Sequence, residues 1–220
     1  IVKFTHKQNL HWKSLLILSY ENLYLMTKLT RSFFTEDALK VAPNLLGKYI
    51  CRKFDDGIIQ RFQIVDVEAY CGVKDLACHA SKGRTERTEA MYSEGGHLYV
   101  YLIYGMYWLI NIVTGKKDDP QGVMIRGLSN ISGPGRTGRA LKIDKSFYNE
   151  DLTTSKKIWI EDINEQLTYI TTPRIGITYA GKPWVDKLWR FVHDPSKSER
   201  DPTDAEDWCI IAYNGDKRSK

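Results

Sequence analysis

The sequence predicts an α+β fold: a single domain built on a curved, mainly antiparallel β-sheet, flanked by helices and carrying a protruding β-hairpin. Three observations lead there. A length of 220 residues favours one domain with at most small appendages. Apolar residues at 42% and charged residues at 27% are ordinary globular proportions, enough for a core that needs no disulfide or metal staple. Short alternating runs separated by turn residues crowd the middle of the chain, and helical patterns flank them.

The elements follow in order. Thr35-Glu36-Asp37-Ala38-Leu39 opens a short helix, with Thr35 as the expected N-cap and acids in the first turn. Pro43 and Gly47 punctuate its end. Tyr49–Phe54 reads as a strand, turned by Asp55-Asp56-Gly57 into a second strand, Gln60–Tyr70. Strict alternation there puts Ile64, Asp66, Glu68 and Tyr70 on one face and Val65, Val67 and Ala69 on the other. Residues 71–96 form a long irregular stretch, a length that often carries function. His97–Leu102 and Tyr107–Val113 pair as a hairpin with Tyr104-Gly105-Met106 at its tip. Val123–Leu128 adds a strand, and Gly133-Pro134-Gly135 leads into a helix over Arg136–Ile143. Short strands are expected at Ile158–Ile160 and Ile175–Thr178. The chain contains no internal repeat.

Composition removes several classes of function. Four Cys (Cys51, Cys71, Cys78, Cys209) form no C-x-x-C pair, which argues against a zinc ribbon or a disulfide scaffold and suits a reducing compartment. No run approaches a membrane span; Leu15–Leu18 lacks the small-x-small cleavage site that a signal peptide requires. The chain begins at Ile1 and its first Met is Met26, so residues 1–25 are expected to lie upstream of the natural start, with an N-terminal helix as the alternative. Residues 1–28 hold four Lys and one Glu, a net of +3, and residues 193–220 hold seven acids and five bases, a net of −2. Subtracting both from the total of +5 leaves +4 for residues 29–192, a field that permits a polyanionic partner without requiring one. The expected organisation is therefore an N-terminal extension over 1–28, one domain over 29–192 and a tail over 193–220. The five His are scattered with no ligand spacing, so no metal is expected.

Four groups of residues have chemical potential. Glu68 shares its strand face with Asp66 and Tyr70, and a partly buried carboxylate beside an aromatic ring can serve as a general base; an isolated Glu-x-Tyr is more often a solvated strand face. His79 sits in the long loop between Asp75 and the pair Arg84 and Arg87, as a polar-site residue or an ordinary loop histidine. Tyr99, Tyr101, Tyr104 and Tyr107 cluster on the hairpin. Tyr104, beside Gly105 at the tip, is hard to bury and reads as a wedge or stacking platform, while Asn111 in the returning strand must satisfy backbone or read a ligand edge. Arg136, Arg139, Lys142 and Lys145 follow a Gly-rich turn that suits phosphate, or form a solvated basic face.

The ordered set is more specific than its parts. Val67-Glu68-Ala69-Tyr70, Asp75-x-Ala77-x-His79, Gly83-x-Thr85-x-Arg87, Tyr99-Val100-Tyr101-x-x-Tyr104-Gly105-Met106, Asn111, Arg126 and Gly133-Pro134-Gly135 resemble, in that order and spacing, the alkyladenine (3-methyladenine, methylpurine) DNA glycosylase family. The resemblance covers roughly residues 29–192. It implies an enzyme that flips alkylated or deaminated purines (3-methyladenine, 7-methylguanine, hypoxanthine) from duplex DNA. It would then hydrolyse the N-glycosidic bond with an activated water, initiating base excision repair. It implies no cofactor and no metal, double-stranded damaged DNA as partner, no membrane, no obligate protein partner and a monomer. A cytoplasmic location follows for a bacterial protein, a nuclear one for a eukaryotic protein. By motif, Glu68 activates water and Arg126 helps to place it. Tyr70 and Tyr101 sandwich the flipped base, His79 packs edge-on, and Asn111 lies under the base and disfavours the guanine amino group. Tyr104 fills the gap in the duplex, and Arg84, Arg87, Arg136 and Arg139 meet phosphates.

This chain departs from the family pattern at Ala80, where Ser is frequent, at Thr88 and Tyr92 in the loop, and at Arg136, which keeps the charge of a Lys. These changes bear on substrate range and phosphate contacts and leave the catalytic positions intact. Two other readings use the same residues: a non-catalytic nucleic-acid-binding module, in which Glu68 is incidental, and a nucleoside hydrolase, which leaves the hairpin wedge and the basic helix without a task.

Overall fold

The structure, a computed structural model, describes residues 26–164 and 166–194. The anticipated extension over residues 1–25 and the tail beyond Asp194 lie outside the described residues. Strands are β1 (Thr27–Lys28), β2 (Tyr49–Lys53), β3 (Ile59–Tyr70), β4 (Leu98–Ile103), β5 (Tyr107–Thr114), β6 (Gln121–Leu128), β7 (Ile131–Ser132), β8 (Ile158–Asp162), β9 (Tyr169–Thr172) and β10 (Arg190–His193). Helices are α1 (Arg31–Phe34), α2 (Ala38–Leu45) and α3 (Pro134–Ala140). The main strand order is β1-β8-β2-β3-β6-β5-β4, with β10 added against β3, β9 against β10, and β7 against β6. Every pairing among the described residues is antiparallel, which is the α+β class expected from the sequence. Among these residues no helix is long and apolar enough to cross a membrane.

β3 organises the molecule. Its first half, Ile59–Gln63, pairs with β2, and its second half runs between β6 and β10. The register shifts between Ile64 and Asp66 and again between Asp66 and Val67, a bulge that bends the strand and resets which side chains share a face. Strict alternation therefore fails here. Ile64 packs in the same core cluster as Val67 and Ala69 instead of following Asp66 and Glu68, because the bulge inserts an unpaired residue.

α2 covers the sheet with Ala38, Val41, Ala42 and Leu45. Its cap is Asp37, not Thr35: the Asp37 carboxylate accepts from the Leu39 N–H at 2.8 Å, and a carboxylate there suits the exposed donors of a helix start. α3 begins at Pro134 and ends at Ala140, earlier at both ends than the sequence suggested. It lies very close to β5. A Cβ on Gly138 would fall 1.9 Å from the Trp108 carbonyl oxygen, and one on Gly135 would fall 2.9 Å from the Tyr107 ring. Of the Gly-rich turn expected to suit phosphate, Gly135 thus serves close packing against the hairpin, as does Gly138 within the helix. Ile175–Thr178 is not a strand: Gly176 turns there at φ +78° and a short 3-10 turn follows at Thr178–Ala180. β9 and β10 instead supply the C-terminal strands. The long loop over 71–96 holds three 3-10 turns, pinned at its start by Asp75, whose carboxylate accepts from the Cys71 and Ala77 N–H groups at 3.1 Å each.

Candidate active site

The bulge delivers two carboxylates to one charged cluster. Glu68 is fully buried. Its Oε1 accepts from the Ile175 N–H at 3.0 Å and lies 3.4 Å from Arg126 Nη1; its Oε2 accepts from the Tyr70 hydroxyl at 2.8 Å. Burial raises its carboxyl above the ordinary range, the Ile175 N–H, Arg126 and Tyr70 oppose that shift, and Asp66 adds to it. A carboxylate in this state is a stronger base than one in water. Asp66, two residues back, is forked by Arg190 at 3.0 and 2.8 Å and lies 3.8 Å from Arg126 Nε. The turn at 175, misread as a strand, is what brings a backbone donor to Glu68.

Aromatic rings surround this cluster. Tyr70 ends β3, and the guanidinium of Arg174 lies 4.7 Å from its ring centroid and 4.9 Å from that of Trp189. Arg174 is itself buried, forked by Asp75 at 2.6 and 2.9 Å, and donates to the Ala69 carbonyl at 2.9 Å. Tyr101 on β4 meets the edge of His79 at 4.7 Å between centroids, and Arg87 lies over the Tyr101 ring at 5.3 Å. His79 Nδ1 is 2.8 Å from the Tyr99 hydroxyl. Burial, with Arg87 and Lys82 nearby, pushes the His79 imidazole down to about 4, so the ring is neutral near pH 7. Asn111 on β5 is buried, and its Nδ2 donates to the Tyr99 carbonyl at 3.1 Å.

Tyr70, His79, Tyr101 and Asn111 line one cavity of about 40 Å³ together with Tyr179 and the loop residues Ala77 and Cys78. That volume is on the order of one to three waters, well short of a purine. Glu68 is not on the wall; the Tyr70 hydroxyl links it to the cavity. A cleft of about 350 Å³ adjoins it, lined by His79, Lys82, Arg87 and Tyr179 among others. Tyr179 borders both spaces. It is 63% exposed and is held by one hydrogen bond, from its hydroxyl to the Ala77 carbonyl at 2.9 Å.

The structure therefore gathers Glu68, Arg126, Tyr70, His79, Tyr101 and Asn111 into one region. Tyr104 stands apart at the β4–β5 turn, 81% exposed, in the left-handed region at φ 54°. Arg136 and Arg139 are exposed on α3, Arg139 over the Tyr107 ring at 5.1 Å. Arg84 is engaged by Glu89 at 2.6 and 2.8 Å and by Asp118 at 2.8 Å, so its charge is already countered, whereas Arg87 faces the aromatic wall. The sequence reading did not single out Arg174, Ile175, Tyr179 or Arg190. Arg190 sits in an unanticipated strand, and a single buried arginine leaves no periodic trace.

With this geometry in place, two kinds of likeness bear on the chain. The sequence model of a family described as methylpurine-DNA glycosylase matches residues 32–132 and 129–197. A Legionella pneumophila (strain Corby) protein named "Putative 3-methyladenine DNA glycosylase" is 44% identical over 176 residues, covering 76% of this chain and 94% of the relative. A Natranaerobius thermophilus protein of the same name is 41% identical over 189 residues, covering 74% and 94%. A third, from Borrelia garinii subsp. bavariensis, is 42% identical over 174 residues, covering 73% and 93%.

Proposed function

This chain belongs to the methylpurine-DNA glycosylase family, and from that premise we propose that it removes 3-methyladenine and related damaged purines from duplex DNA by hydrolysis. One observation carries the reading: a fully buried Glu68, held by Tyr70, Ile175 and Arg126, beside a cavity walled by Tyr70, Tyr101 and His79. The damaged nucleotide rotates out of the stack, at a cost of a few kcal/mol that is least for a damaged pair. Its base enters between the rings, displacing contacts of Tyr179 and His79. Stacking contributes about 1–3 kcal/mol per base.

Water then attacks C1′ as the C1′–N9 bond breaks. The bond electrons leave with the purine, and a proton from the water goes to Glu68. A 3-methyladenine is cationic in DNA and departs neutral, so it needs no acid. Arg126 places the water and holds Glu68 ionised. The oxocarbenium-like character at C1′ is stabilised by the same carboxylate. Tyr104 occupies the gap left in the duplex, and Arg87, Arg136 and Arg139 contact phosphates. Asn111 limits bases carrying the guanine amino group.

The test uses duplex oligonucleotides bearing 3-methyladenine, 7-methylguanine, hypoxanthine or undamaged adenine, scored for abasic sites. Abasic sites at 3-methyladenine and none at adenine are expected. Lesion binding with no abasic site on any substrate would support a non-catalytic binding module instead.

A further inference from the structure

Between the bulge of β3 and strands β6 and β10 lies a line of four alternating charges. Arg190 forks Asp66, Asp66 lies 3.8 Å from Arg126 Nε, and Arg126 Nη1 lies 3.4 Å from Glu68 Oε1. All four side chains are largely out of solvent, at 20%, 10%, 14% and 0% exposure along that line. The arrangement is built in detail. Asp66 is at the register shift and pairs with Gly127, where an added Cβ would stand 3.0 Å from the Asp66 Cβ. A side chain at 127 would crowd Asp66, which would have to give by a few tenths of an ångström. Arg190 pairs in register with Glu68 itself, so its fork reaches sideways to Asp66.

We infer that Asp66 and Arg190 are positioning residues for the reaction: the Arg190 fork fixes Asp66, and Asp66 draws part of Arg126 away from Glu68, setting how strongly that guanidinium faces the base. The inference rests on Glu68 acting as the base. It follows from electrostatics at short range. A cation shared between two carboxylates favours each less than one held by a single carboxylate. Without Asp66, Arg126 turns its whole charge on Glu68, and the Glu68 proton leaves at lower pH. Without Arg190, Glu68 loses that cation's own attraction, the Asp66 charge is uncountered, repels the Glu68 carboxylate and pulls Arg126 off it, and the proton leaves at higher pH. The other groups facing Glu68 are Tyr70 on its own strand, Tyr101 from β4, Tyr179 from the loop after β9 and the Ile175 N–H. The phenols are raised above their ordinary values by burial, so they stay neutral across an acid titration.

The experiment measures single-turnover release of 3-methyladenine from methylated duplex DNA between about pH 4 and 8, at saturating enzyme. A leaving base that is already cationic adds no titration of its own to the acid limb. Asp66→Asn is expected to move that limb to lower pH and Arg190→Gln to higher pH, each by a shift on the order of one unit. Arg190→Lys, which keeps the charge but not the fork, should lie between the wild type and Arg190→Gln, and the Asp66→Asn/Arg190→Gln double variant should return towards the wild type. A carboxyl-carbon NMR titration of Glu68 in each variant reads the same shifts without requiring activity. Limbs that stay in place, or that move in the same direction for both single variants, overturn the inference while leaving the proposed activity standing. A wild type that releases no base overturns the proposed activity, and the NMR titration then shows whether the charge line exists without it.

Discussion

At the scale of single residues, Glu68 is set against stability. Its carboxyl is raised by burial, so the folded state takes up this proton more readily than the unfolded chain. Protonation therefore stabilises the fold below the ordinary value of 4.5, and that stability is lost as pH rises through the raised folded value. Glu68→Gln fits the same contacts. Ile175 and Arg126 both address Oε1, which the amide retains, and the new amide nitrogen can donate to the Tyr70 hydroxyl oxygen. The variant is expected to lose on the order of 100-fold or more in single-turnover base release, because an amide accepts no proton from water. It should also melt higher than the wild type at pH 7, with the gap closing as the pH falls towards 4.5. Equal melting temperatures at pH 7 would mean that the Glu68 contacts fully offset its desolvation.

At the scale of elements, the hairpin and the helix behind it form the unit proposed to face DNA. Tyr104 holds a left-handed backbone at the turn, which costs a non-glycine residue about 1–2 kcal/mol, and its ring is 81% exposed. Strain without burial argues for work done elsewhere. Tyr104→Asn should leave stability unchanged or slightly higher, since Asn tolerates this conformation. Base release should slow most for lesions in stable pairs and least in single strands; an equal effect in both would contradict a wedge. On α3, the exposed Arg136 and Arg139 are the proposed phosphate contacts. Replacing both by Ala should make the log–log salt dependence of binding shallower by roughly 2 units, and an unchanged slope would mark a solvated face. The helix could be read from its Gly-Pro-Gly start, but its tight seat on β5 could not, because Gly135 and Gly138 answer to a strand that local pattern does not identify as their neighbour. The same limit applied to β3. Alternation finds the strand and its acid, but a bulge depends on the partner strand, so alternation alone places Ile64 on the wrong face.

At the scale of the whole molecule, the site joins segments that are distant in sequence. Glu68, Tyr70, His79, Tyr101 and Asn111 carry motif spacing and were legible. Arg174, Ile175, Tyr179 and Arg190 come from the last third of the chain, where only tertiary contact gives them meaning. Arg174 shows what that contact holds. Its bond to Asp75 spans 99 residues, it lies between the rings of Tyr70 and Trp189, and the next residue supplies the donor to Glu68. The pair is fully buried, so its attraction is offset by desolvation, and breaking one side costs more than removing both. Asp75→Asn keeps the shape but turns an amide NH₂ onto the Cys71 or Ala77 N–H and leaves a buried guanidinium without its counter-charge, and Arg174 Nε already lacks a partner. The expected loss is about 3–5 kcal/mol, a fall in melting temperature on the order of 6–20 °C for a domain of this size. Asp75→Asn/Arg174→Met removes the stranded charge and places a flexible thioether between the two rings, where sulfur packs well. The double variant should therefore melt above Asp75→Asn alone. Its base release should still fall, because Tyr70 and the turn at Ile175 lose the group that sets them. A double variant that melts lower than the single one would show that Arg174 stabilises the fold through its rings and the Ala69 carbonyl, independently of Asp75.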